Sequence, residues 1–505
     1  MKAVTDAARL LRESNPVADD AFAGAAGDSL GRATLERIVA SSARAAPVTG
    51  RSPRRRRLFW LAAVAVGVAV VAGLLPALLS GPPRLTRPVH TAWEPARPLA
   101  RPAVAGAGGP AGAWRLASYL VREGWRTNTA GPEPGPLTCP TATTCYVEGN
   151  NATSASGPAD MDTLYVSYDG AVSWNALPVP AGITFTSALS CASAASCAAG
   201  ALFDGQPVLA VTTDGAHSWT LDPLPAGPSQ IFRLSCPTTT TCVGLATASA
   251  IFRRFIPYPP YIGTRFLITT DGGARFTASA PPPGESMFGL SCPTARDCVA
   301  VGTRDRDRSA PYLNEPGVVA ITHDGGASWS SGTLPQNQGL FPPITCVDTS
   351  HCYTIGQFVA VRFQGSFIPA SDLLASADGG RTWAVRRLPG SVHDPQLGDL
   401  ACPSDSTCYA SGSENFFKLV NGGISPLPGR PGISPVVVTT HDAGLTWSRV
   451  TFAIPAHVPP AMHADPNAFI SADAIQCPQP DACIALGSAS QGSKSTAVYT
   501  YRSTP

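Results

Sequence analysis

Short apolar runs rich in β-branched residues recur along most of the chain. Val208–Thr212, Val318–Thr322 and Val436–Thr440 are clear examples. Runs of this length and composition are typical of buried β-strands. The chain therefore predicts an all-β domain built from many short strands.

A much longer apolar run lies near the N-terminus. Leu58–Ser80 contains 23 positions without a charged side chain, enough to cross about 30 Å of hydrocarbon as a helix. Arg51 and Arg54–Arg57 precede it directly, which places the N-terminus in the cytoplasm by the positive-inside rule. A cleaved signal peptide is disfavoured, because 57 residues precede the run and no small-residue cleavage site follows it. The sequence thus predicts a single-pass cell-membrane protein whose C-terminal part is extracytoplasmic.

All 14 cysteines form seven pairs with the same spacing, i and i+6, and the pairs recur every 45 to 75 residues. A period of this size is typical of propellers or solenoids. Within Leu290–Gly302 two apolar stretches flank such a pair, so we expect a hairpin whose disulfide joins antiparallel strands with Cα atoms about 4.5–5.5 Å apart. The absence of an odd thiol in the sequence indicates an oxidising compartment, and zinc is disfavoured because the pairs belong to separate repeats. The predicted disulfides are Cys139–Cys145, Cys191–Cys197, Cys236–Cys242, Cys292–Cys298, Cys346–Cys352, Cys402–Cys408 and Cys477–Cys483.

A second motif, Ser/Thr-x-Asp-x-Gly-x-Thr/Ser-Trp, alternates with the cysteine pairs in six copies, and we call it the aspartate turn. In its fullest form, Thr322–Trp329, we expect Asp324 to accept hydrogen bonds from the turn and Gly326 to adopt a positive φ. Trp329 would then begin the return strand and pack against a neighbouring sheet. The predicted structural residues of the six copies are Asp169 and Trp174, Asp214 and Trp219, Asp271 and Phe276, Asp324 and Trp329, Asp378 and Trp383, and Asp442 and Trp447.

The aspartate turn resembles the Asp-box (BNR) repeat of sialidases, sortilin-type receptors and photosystem II assembly-factor propellers. The resemblance covers residues 113–505. Each repeat reads as strand A, cysteine turn, strand B, loop, strand C, aspartate turn and strand D, which is one four-stranded antiparallel propeller blade. Seven cysteine pairs predict seven blades, and the last repeat lacks strand D. We expect the segment upstream of the first pair, at Gly124–Thr127, to supply that strand and close the ring.

Four regions follow from these assignments: a cytoplasmic tail (1–57), a transmembrane helix (58–80), a Pro/Gly/Ala-rich linker (81–112) and the propeller (113–505). The tail contains two helix candidates, Asp6–Glu13 and Ser29–Ser42, and a cytoplasmic regulatory partner is one hypothesis for it. The tail carries 11 basic and 6 acidic residues and the remainder 25 and 28, so the larger part has no electrostatic footprint for nucleic acid. The scarcity of lysine among the basic residues is typical of a GC-rich bacterial genome.

Since antiparallel strands alternate in direction, the cysteine and aspartate turns share one face of the ring. The B–C and D–A loops, whose lengths vary, lie on the opposite face, where binding residues are usually found. Aromatic and arginine side chains are favoured anchors at such surfaces, although these rings could instead cover blade edges. The candidate binding residues are Arg253, Arg254, Tyr258, Tyr261, Arg306, Tyr312, Arg362, Phe416 and Phe417.

These features favour a non-catalytic propeller, tethered to the membrane, that binds a protein or a glycan of the cell envelope. One alternative is a surface glycosidase of sialidase type, because Phe252–Pro257 resembles the Arg-Ile-Pro motif of that family with an extra residue inserted. No pair of carboxylates suited to glycoside hydrolysis stands out. Another alternative is a transmembrane sensor that signals through the tail. The sequence predicts no catalytic residue, no metal site and no cofactor.

Overall fold

The computed structural model describes residues 89–90, 114–121, 136–149, 163–228, 230–247, 264–304, 317–335, 339–363, 366–388, 392, 395–420, 423–426, 433–450, 468–480, 482–491 and 494–503. They all belong to one compact unit, Arg84–Pro505. Within these ranges the chain forms strands joined by turns, and no helix occurs. The predicted membrane helix at 58–80 and the predicted tail at 1–57 lie outside the described residues, among which no helix suited to crossing a membrane is found.

Two described strands precede blade 1, β1 (Val89–His90) and β2 (Trp114–Val121). Three four-stranded antiparallel sheets follow, which we number as blades 1 to 3. Blade 1 contains β3 (Leu137–Thr138), β4 (Cys145–Gly149), β5 (Thr163–Ser167) and β6 (Asn175–Pro178). Blade 2 contains β7 (Ile183–Cys191), β8 (Cys197–Phe203), β9 (Gln206–Thr212) and β10 (Ser218–Pro223). Blade 3 contains β11 (Gln230–Ser235), β12 (Cys242–Thr247), β13 (Arg265–Thr269) and β14 (Thr277–Ser279).

Blades 4 to 7 repeat the same order of strands A to D. Blade 4 contains β15 (Glu285–Ser291), β16 (Cys298–Arg304), β17 (Gly317–Thr322) and β18 (Ser330–Ser331). Blade 5 contains β19 (Gly339–Cys346), β20 (Cys352–Phe363), β21 (Ser366–Ser376) and β22 (Ala384–Arg386). Blade 6 contains β23 (Pro395–Ala401), β24 (Cys408–Asn415), β27 (Ile433–Thr440) and β28 (Ser448–Arg449), with the hairpin β25 (Phe417–Val420) and β26 (Gly423–Pro426) inserted between B and C. Blade 7 contains β29 (Ala468–Gln479), β30 (Ala482–Gln491), β31 (Lys494–Ser503) and the distant strand β2.

The hydrophobic core lies between successive blades rather than in one central mass. Separate clusters join blades 1 and 2, 2 and 3, 3 and 4, 4 and 5, and 5 and 6. Another cluster packs Trp174 of blade 1 against Ile484 and Leu486 of blade 7. A parallel pairing of Ile433 with Phe469 connects blades 6 and 7. These contacts close the sheets into a seven-bladed propeller, as the sequence predicts.

The ring closes with a different strand from the one expected. The outer strand of blade 7 is β2, in which Trp114 pairs with Ser503 and Tyr119 with Tyr499. The expected strand at Gly124–Thr127 lies outside the described residues. Trp114 is buried and its ring meets Tyr409 of blade 6 edge-on at a centroid distance of 6.0 Å. It therefore packs on the preceding blade, as Trp219 of blade 2 does against blade 1.

All seven predicted disulfides are present, each within its own blade, and the chain has no free cysteine. The Cα–Cα separations are 3.9 to 4.1 Å, shorter than the expected range. Each pair closes a short turn at the point where strands A and B converge, which brings the backbones together. The bridges therefore act as staples at the base of seven hairpin turns.

One short segment of the predicted linker forms a strand. Val89 and His90 in β1 pair with Trp219 and Ser218 in β10, which adds a fifth strand to the outer edge of blade 2.

Candidate binding face

The aspartate turns are held by a repeated set of hydrogen bonds. In Thr322–Trp329 the Thr322 hydroxyl donates to Oδ1 of Asp324 at 2.7 Å and accepts the N–H of Gly326 at 3.0 Å. Asp324 also accepts the N–H and the hydroxyl of Ser328, at 3.0 and 2.5 Å. The same bonds recur around Asp169, Asp214, Asp378 and Asp442. The carboxylate therefore accepts hydrogen bonds from turn N–H groups that have no backbone carbonyl within reach.

Positive φ values occur at both central positions of each turn. Gly325 and Gly326 have φ of 74° and 89°, a region that glycine enters without steric cost. In blades 1 and 2 the second position is alanine, and Ala171 and Ala216 adopt φ of 67° and 70°. The hydrogen bonds of the turn hold these alanines in a conformation that costs roughly 1–2 kcal/mol relative to glycine.

Each aspartate turn is bonded to the cysteine turn of its own blade. The N–H of Gly325 donates to the carbonyl oxygen of Arg296, two residues before Cys298, at 2.9 Å. The other five pairs are equivalent: Gly170 to Thr143, Gly215 to Ala195, Gly272 to Thr240, Gly379 to Ser350 and Ala443 to Ser406, at 2.8 to 3.0 Å. The two repeated motifs thus lie on one face, which we call the turn face. In six blades, a backbone hydrogen bond joins the aspartate turn to the cysteine turn.

Hydrogen bonds also link the turn face from blade to blade. In three blades a tyrosine directly after the second cysteine donates its hydroxyl to the cysteine turn of the next blade: Tyr146 to Ala194 (2.6 Å), Tyr353 to Asp405 (2.5 Å) and Tyr409 to Pro480 (3.5 Å). Burial raises the pKa of Tyr146 to about 12, so its hydroxyl keeps the donated proton. Serines directly before a first cysteine accept the N–H of the next first cysteine: Ser190 from Cys236, Ser235 from Cys292 and Ser291 from Cys346. These bonds link the turn face across six of the seven joints of the ring.

Acid should weaken the aspartate turns. The Ser328 hydroxyl, followed by its N–H and the Thr322 hydroxyl, lowers the pKa of Asp324, and the equivalent bonds from Thr446 lower that of Asp442 to about 2. A depressed pKa contributes stability above the ordinary value of 3.8 that is lost as the pH falls through the folded value. The free energy of unfolding, measured by urea denaturation, should therefore fall less between pH 5 and about pH 2 in Asp442→Asn than in the wild type.

A matched control for this prediction is Asp204→Asn, in the B–C turn of blade 2, where asparagine tolerates the positive φ of 48°. This variant should keep the wild-type acid response. An unchanged acid response in Asp442→Asn would show that the turn carboxylates do not carry this part of the stability.

The face opposite the turn face, which we call the loop face, carries the B–C and D–A connections. The B–C connection of blade 2 is a tight turn between Phe203 and Gln206, whereas the strands of blade 5 continue as a paired ribbon to Phe363 and Ser366. In blade 6 the connection contains the hairpin β25–β26. Some of the longer B–C connections are thus regular β-structure rather than irregular loops.

The candidate binding residues are distributed unevenly over what the structure describes. Arg362 lies on β20 and Phe417 on β25, on connections of the loop face. Phe416 was placed wrongly by the sequence, because it is only 2% exposed and so cannot offer its ring to a partner. The remaining six lie outside the described residues: Arg253, Arg254, Tyr258, Tyr261, Arg306 and Tyr312.

An ion pair lies at the start of the B–C connection of blade 6. Arg449 of β28 reaches Glu414, at the end of β24, with both nitrogen–oxygen distances at 2.8 Å. The Glu414 side chain is fully buried, and a hydrogen bond between charged groups is stronger than one between neutral groups. The base of the β25–β26 hairpin is thereby anchored to the outer strand of its blade.

Two features of the inner strands escaped sequence analysis. Strand A carries a β-bulge in several blades, between Met287 and Gly289 in blade 4 and between Leu397 and Asp399 in blade 6. Facing the bulge, strand B carries glycines such as Gly302, where an added Cβ would meet the Ser286 carbonyl oxygen. The available signal was a glycine four residues after the second cysteine, which occurs in five of the seven repeats as Gly149, Gly302, Gly356, Gly412 and Gly487.

Comparisons with known proteins give structural matches only. No protein-family model matches the sequence, and no curated protein matches it. Among solved structures, YCF48 bound to a D1 peptide is similar with 14% identity over 78% of this chain and 97% of that chain, at a TM-score of 0.45. YCF48 from Cyanidioschyzon merolae gives 11% identity, 77% and 98% coverage and a TM-score of 0.45. The β-propeller domain of the Trilobed protease from Pyrococcus furiosus is similar with 9% identity over 74% of this chain and 99% of that chain, at a TM-score of 0.42. The propeller assignment therefore depends on the strand order of this chain itself.

Proposed function

We propose that this protein is a non-catalytic binding propeller that recognises a protein or a glycan of the cell envelope through its loop face. The observation that carries the proposal is the set of six amide–carbonyl bonds that lock the aspartate turns onto the cysteine turns. Those bonds give the repeated motifs a structural role. The connections that differ between blades all leave from the opposite face, and a rigid scaffold lowers the ordering cost of binding there.

The composition of these connections supports recognition by aromatic and basic side chains. Arg253, Arg254, Tyr258 and Tyr261 lie within one B–C connection of blade 3, and Arg306 and Tyr312 lie within that of blade 4. Arginine and tyrosine are enriched among residues that dominate binding energies at protein interfaces. We therefore place the contact surface on the B–C connections of blades 3 to 6.

The membrane tether and the extracytoplasmic location are part of the same proposal. Seven disulfides in one domain favour an oxidising compartment, and Leu58–Ser80 supplies an uncharged run of spanning length. In a bacterial host, the full chain should sediment with membranes, and protease added to intact spheroplasts should degrade the propeller while sparing an epitope at residue 2. A propeller protected in intact spheroplasts would refute this orientation.

The binding proposal is tested with the ectodomain immobilised and exposed separately to purified cell-wall glycan and to detergent-solubilised envelope proteins. Arg254→Ala combined with Tyr258→Ala should remove most of the retention of one of these fractions. The matched control is Thr239→Ala. Thr239 is exposed on the turn face, and this variant should bind that fraction as fully as the wild type does. Equal losses in both variants, or no retention of either fraction, would refute a loop-face binding site.

The two alternative functions make different predictions. A sialidase-type glycosidase would cleave aryl glycosides, and a single carboxylate substitution on the loop face would abolish that activity. A sensor would lose a transcriptional response when residues 1–50 are deleted and the propeller is kept. A pure binding propeller shows neither effect and keeps its retention in the binding assay after that deletion.

A further inference from the structure

The N-terminal chain is fastened to the ring at two points, and the first of them is β1. Val89 and His90 pair antiparallel with Trp219 and Ser218. Ser218 belongs to the aspartate turn of blade 2, so His90 lies at the turn-face end of the outer edge of that blade. This edge is long, because β10 has six residues, whereas the outer strands of blade 1 and of blades 3 to 6 have two to four.

The second point is Trp114, the first residue of β2. Trp114 pairs with Ser503 on β31. The Ser503 hydroxyl accepts the N–H of Cys483, at the cysteine turn of blade 7, at 2.9 Å. Trp114 therefore lies at the turn-face end of the outer edge of blade 7.

Blade 1 lies between these two points. Its hydrophobic clusters join it to blade 2 on one side and to blade 7 on the other. The 23 residues 91–113 connect His90 with Trp114, and an extended chain of that length reaches up to about 80 Å. The direct route crosses the turn-face rim of blade 1, whereas the route round the other side passes blades 3 to 6. The two fastened ends thus bring this segment to one particular surface.

That rim carries an exposed aromatic ring. Tyr168, in the aspartate turn between strands C and D of blade 1, keeps 49% of its surface accessible. Among the side chains that the structure describes, Leu445 of blade 6 is the other large exposed hydrophobic one. The remaining aspartate turns have a smaller or more polar residue at the position of Tyr168: Thr213, Thr270, His323, Ala377 and His441.

The turn that presents Tyr168 is held from two sides. The Ser167 hydroxyl accepts the N–H of Ala171 at 2.8 Å. From blade 7, the Thr500 hydroxyl donates to the carbonyl oxygen of Ala171 at 3.2 Å. Tyr168 therefore projects from a fixed base, which lowers the ordering cost of a contact with its ring.

The composition of the connecting segment suits an aromatic surface. Its first part contains Trp93 and the Pro-x-x-Pro sequence Pro95–Pro98, and its last part, from Gly106 onwards, is mostly glycine and alanine. Proline-rich sequences of this kind favour an extended polyproline II conformation, and they dock on aromatic side chains at a low entropic cost. The first part of the segment therefore matches the ring of Tyr168 in chemistry.

We propose that residues 91–113 dock as a strap on the turn-face rim of blade 1, with Pro95–Pro98 packed on Tyr168. The N-terminal chain is thereby held at blades 2, 1 and 7 in succession, rather than being a free linker up to Trp114. This inference stands on β1, β2 and Tyr168, so it does not depend on the binding function proposed for the loop face.

Photo-crosslinking in the full chain tests the strap. The photoreactive residue p-benzoylphenylalanine is placed at position 168, where it keeps an aromatic ring, and the crosslinked peptides are identified by mass spectrometry. We expect an intramolecular bridge to the stretch Trp93–Leu99. The matched control carries the same photoreactive residue in place of Leu445, on the aspartate turn of blade 6, and should give no bridge to that stretch.

Variants within the segment test which part of it makes the contact. Pro95→Ala combined with Pro98→Ala should lower the yield of the bridge about threefold, because the segment loses its preset extended shape. Pro110→Ala, in the glycine-rich part, should leave the yield unchanged. The contact lies outside the clusters between the blades, so unfolding of the ring does not report it.

Four results would overturn the proposal. The first is the absence of a bridge from position 168 to residues 91–113, and the second is an equal yield of such bridges from positions 168 and 445. The third is a bridge between two chains, which would place the segment on a second copy. The fourth is a yield that the double proline variant does not change, which would remove Pro95–Pro98 from the contact with Tyr168.

Discussion

Replacing Trp114 by alanine is expected to lower the free energy of unfolding by about 3–5 kcal/mol, the usual cost of removing a buried tryptophan. Trp114 is 3% exposed and begins β2, the strand that completes blade 7. Its ring contacts Tyr409 of blade 6, so its loss should weaken the closing strand at both of its packing partners. Urea unfolding followed by tryptophan fluorescence would measure the change, and limited proteolysis should cleave within Trp114–Val121 first.

Tyr168→Ala is the matched control. Tyr168 is an exposed aromatic residue, 49% accessible, and its replacement should change the unfolding free energy by less than about 0.5 kcal/mol. If Trp114→Ala were as mild as Tyr168→Ala, the closing strand would have been assigned wrongly.

Replacing Gly302 by alanine should destabilise the propeller by about 3 kcal/mol, at the upper end of what overpacking costs. A Cβ at this position would meet the Ser286 carbonyl oxygen and lie 2.8 Å from the Cα of Met287. Both atoms belong to the backbone of the inner strand, which is fixed between neighbouring blades and cannot move aside. The midpoint of urea unfolding should fall accordingly, with no change in the seven disulfides.

Gly398→Ala gives the comparison for this substitution. At Gly398 the nearest atom to an added Cβ is the Asp473 carbonyl oxygen at 3.9 Å, an ordinary contact. Its effect should remain within about 0.5 kcal/mol. Equal effects of Gly302→Ala and Gly398→Ala would mean that close approach at the bulge does not explain the glycines of strand B.

The parts of the fold predicted from the sequence are those encoded by short, local signals. A cysteine pair six residues apart and an aspartate turn each specify one hairpin, and their alternation gives the order of strands A to D. Seven disulfides and seven blades followed from these spacings. Local turn chemistry also predicted the positive φ at Gly326.

The closing strand could not be located in the same way, because the connection from strand D to the next strand A varies in length. From Trp174 to Cys191 there are 17 residues, and from Trp447 to Cys477 there are 30. Spacing therefore did not locate β2, and the sequence pointed to Gly124–Thr127 instead. In the structure, the pairing of β2 with β31 identifies the closing strand, and Trp114 packs on Tyr409.

The burial of candidate binding residues depends on contacts between distant parts of the chain. Phe416 was chosen as an aromatic side chain in a variable loop, yet it is only 2% exposed. The hydrogen bond from the N–H of Ile475 to Asp399 likewise joins residues 76 positions apart. Sequence periodicity carries no information about such contacts.

Peptide mapping of the ectodomain under non-reducing conditions, with free thiols alkylated first, tests the stapled ring most directly. We expect no alkylated cysteine and seven bridges, each closing a six-residue interval within a single blade. An alkylated cysteine, or a bridge between cysteines of two different blades, would contradict it.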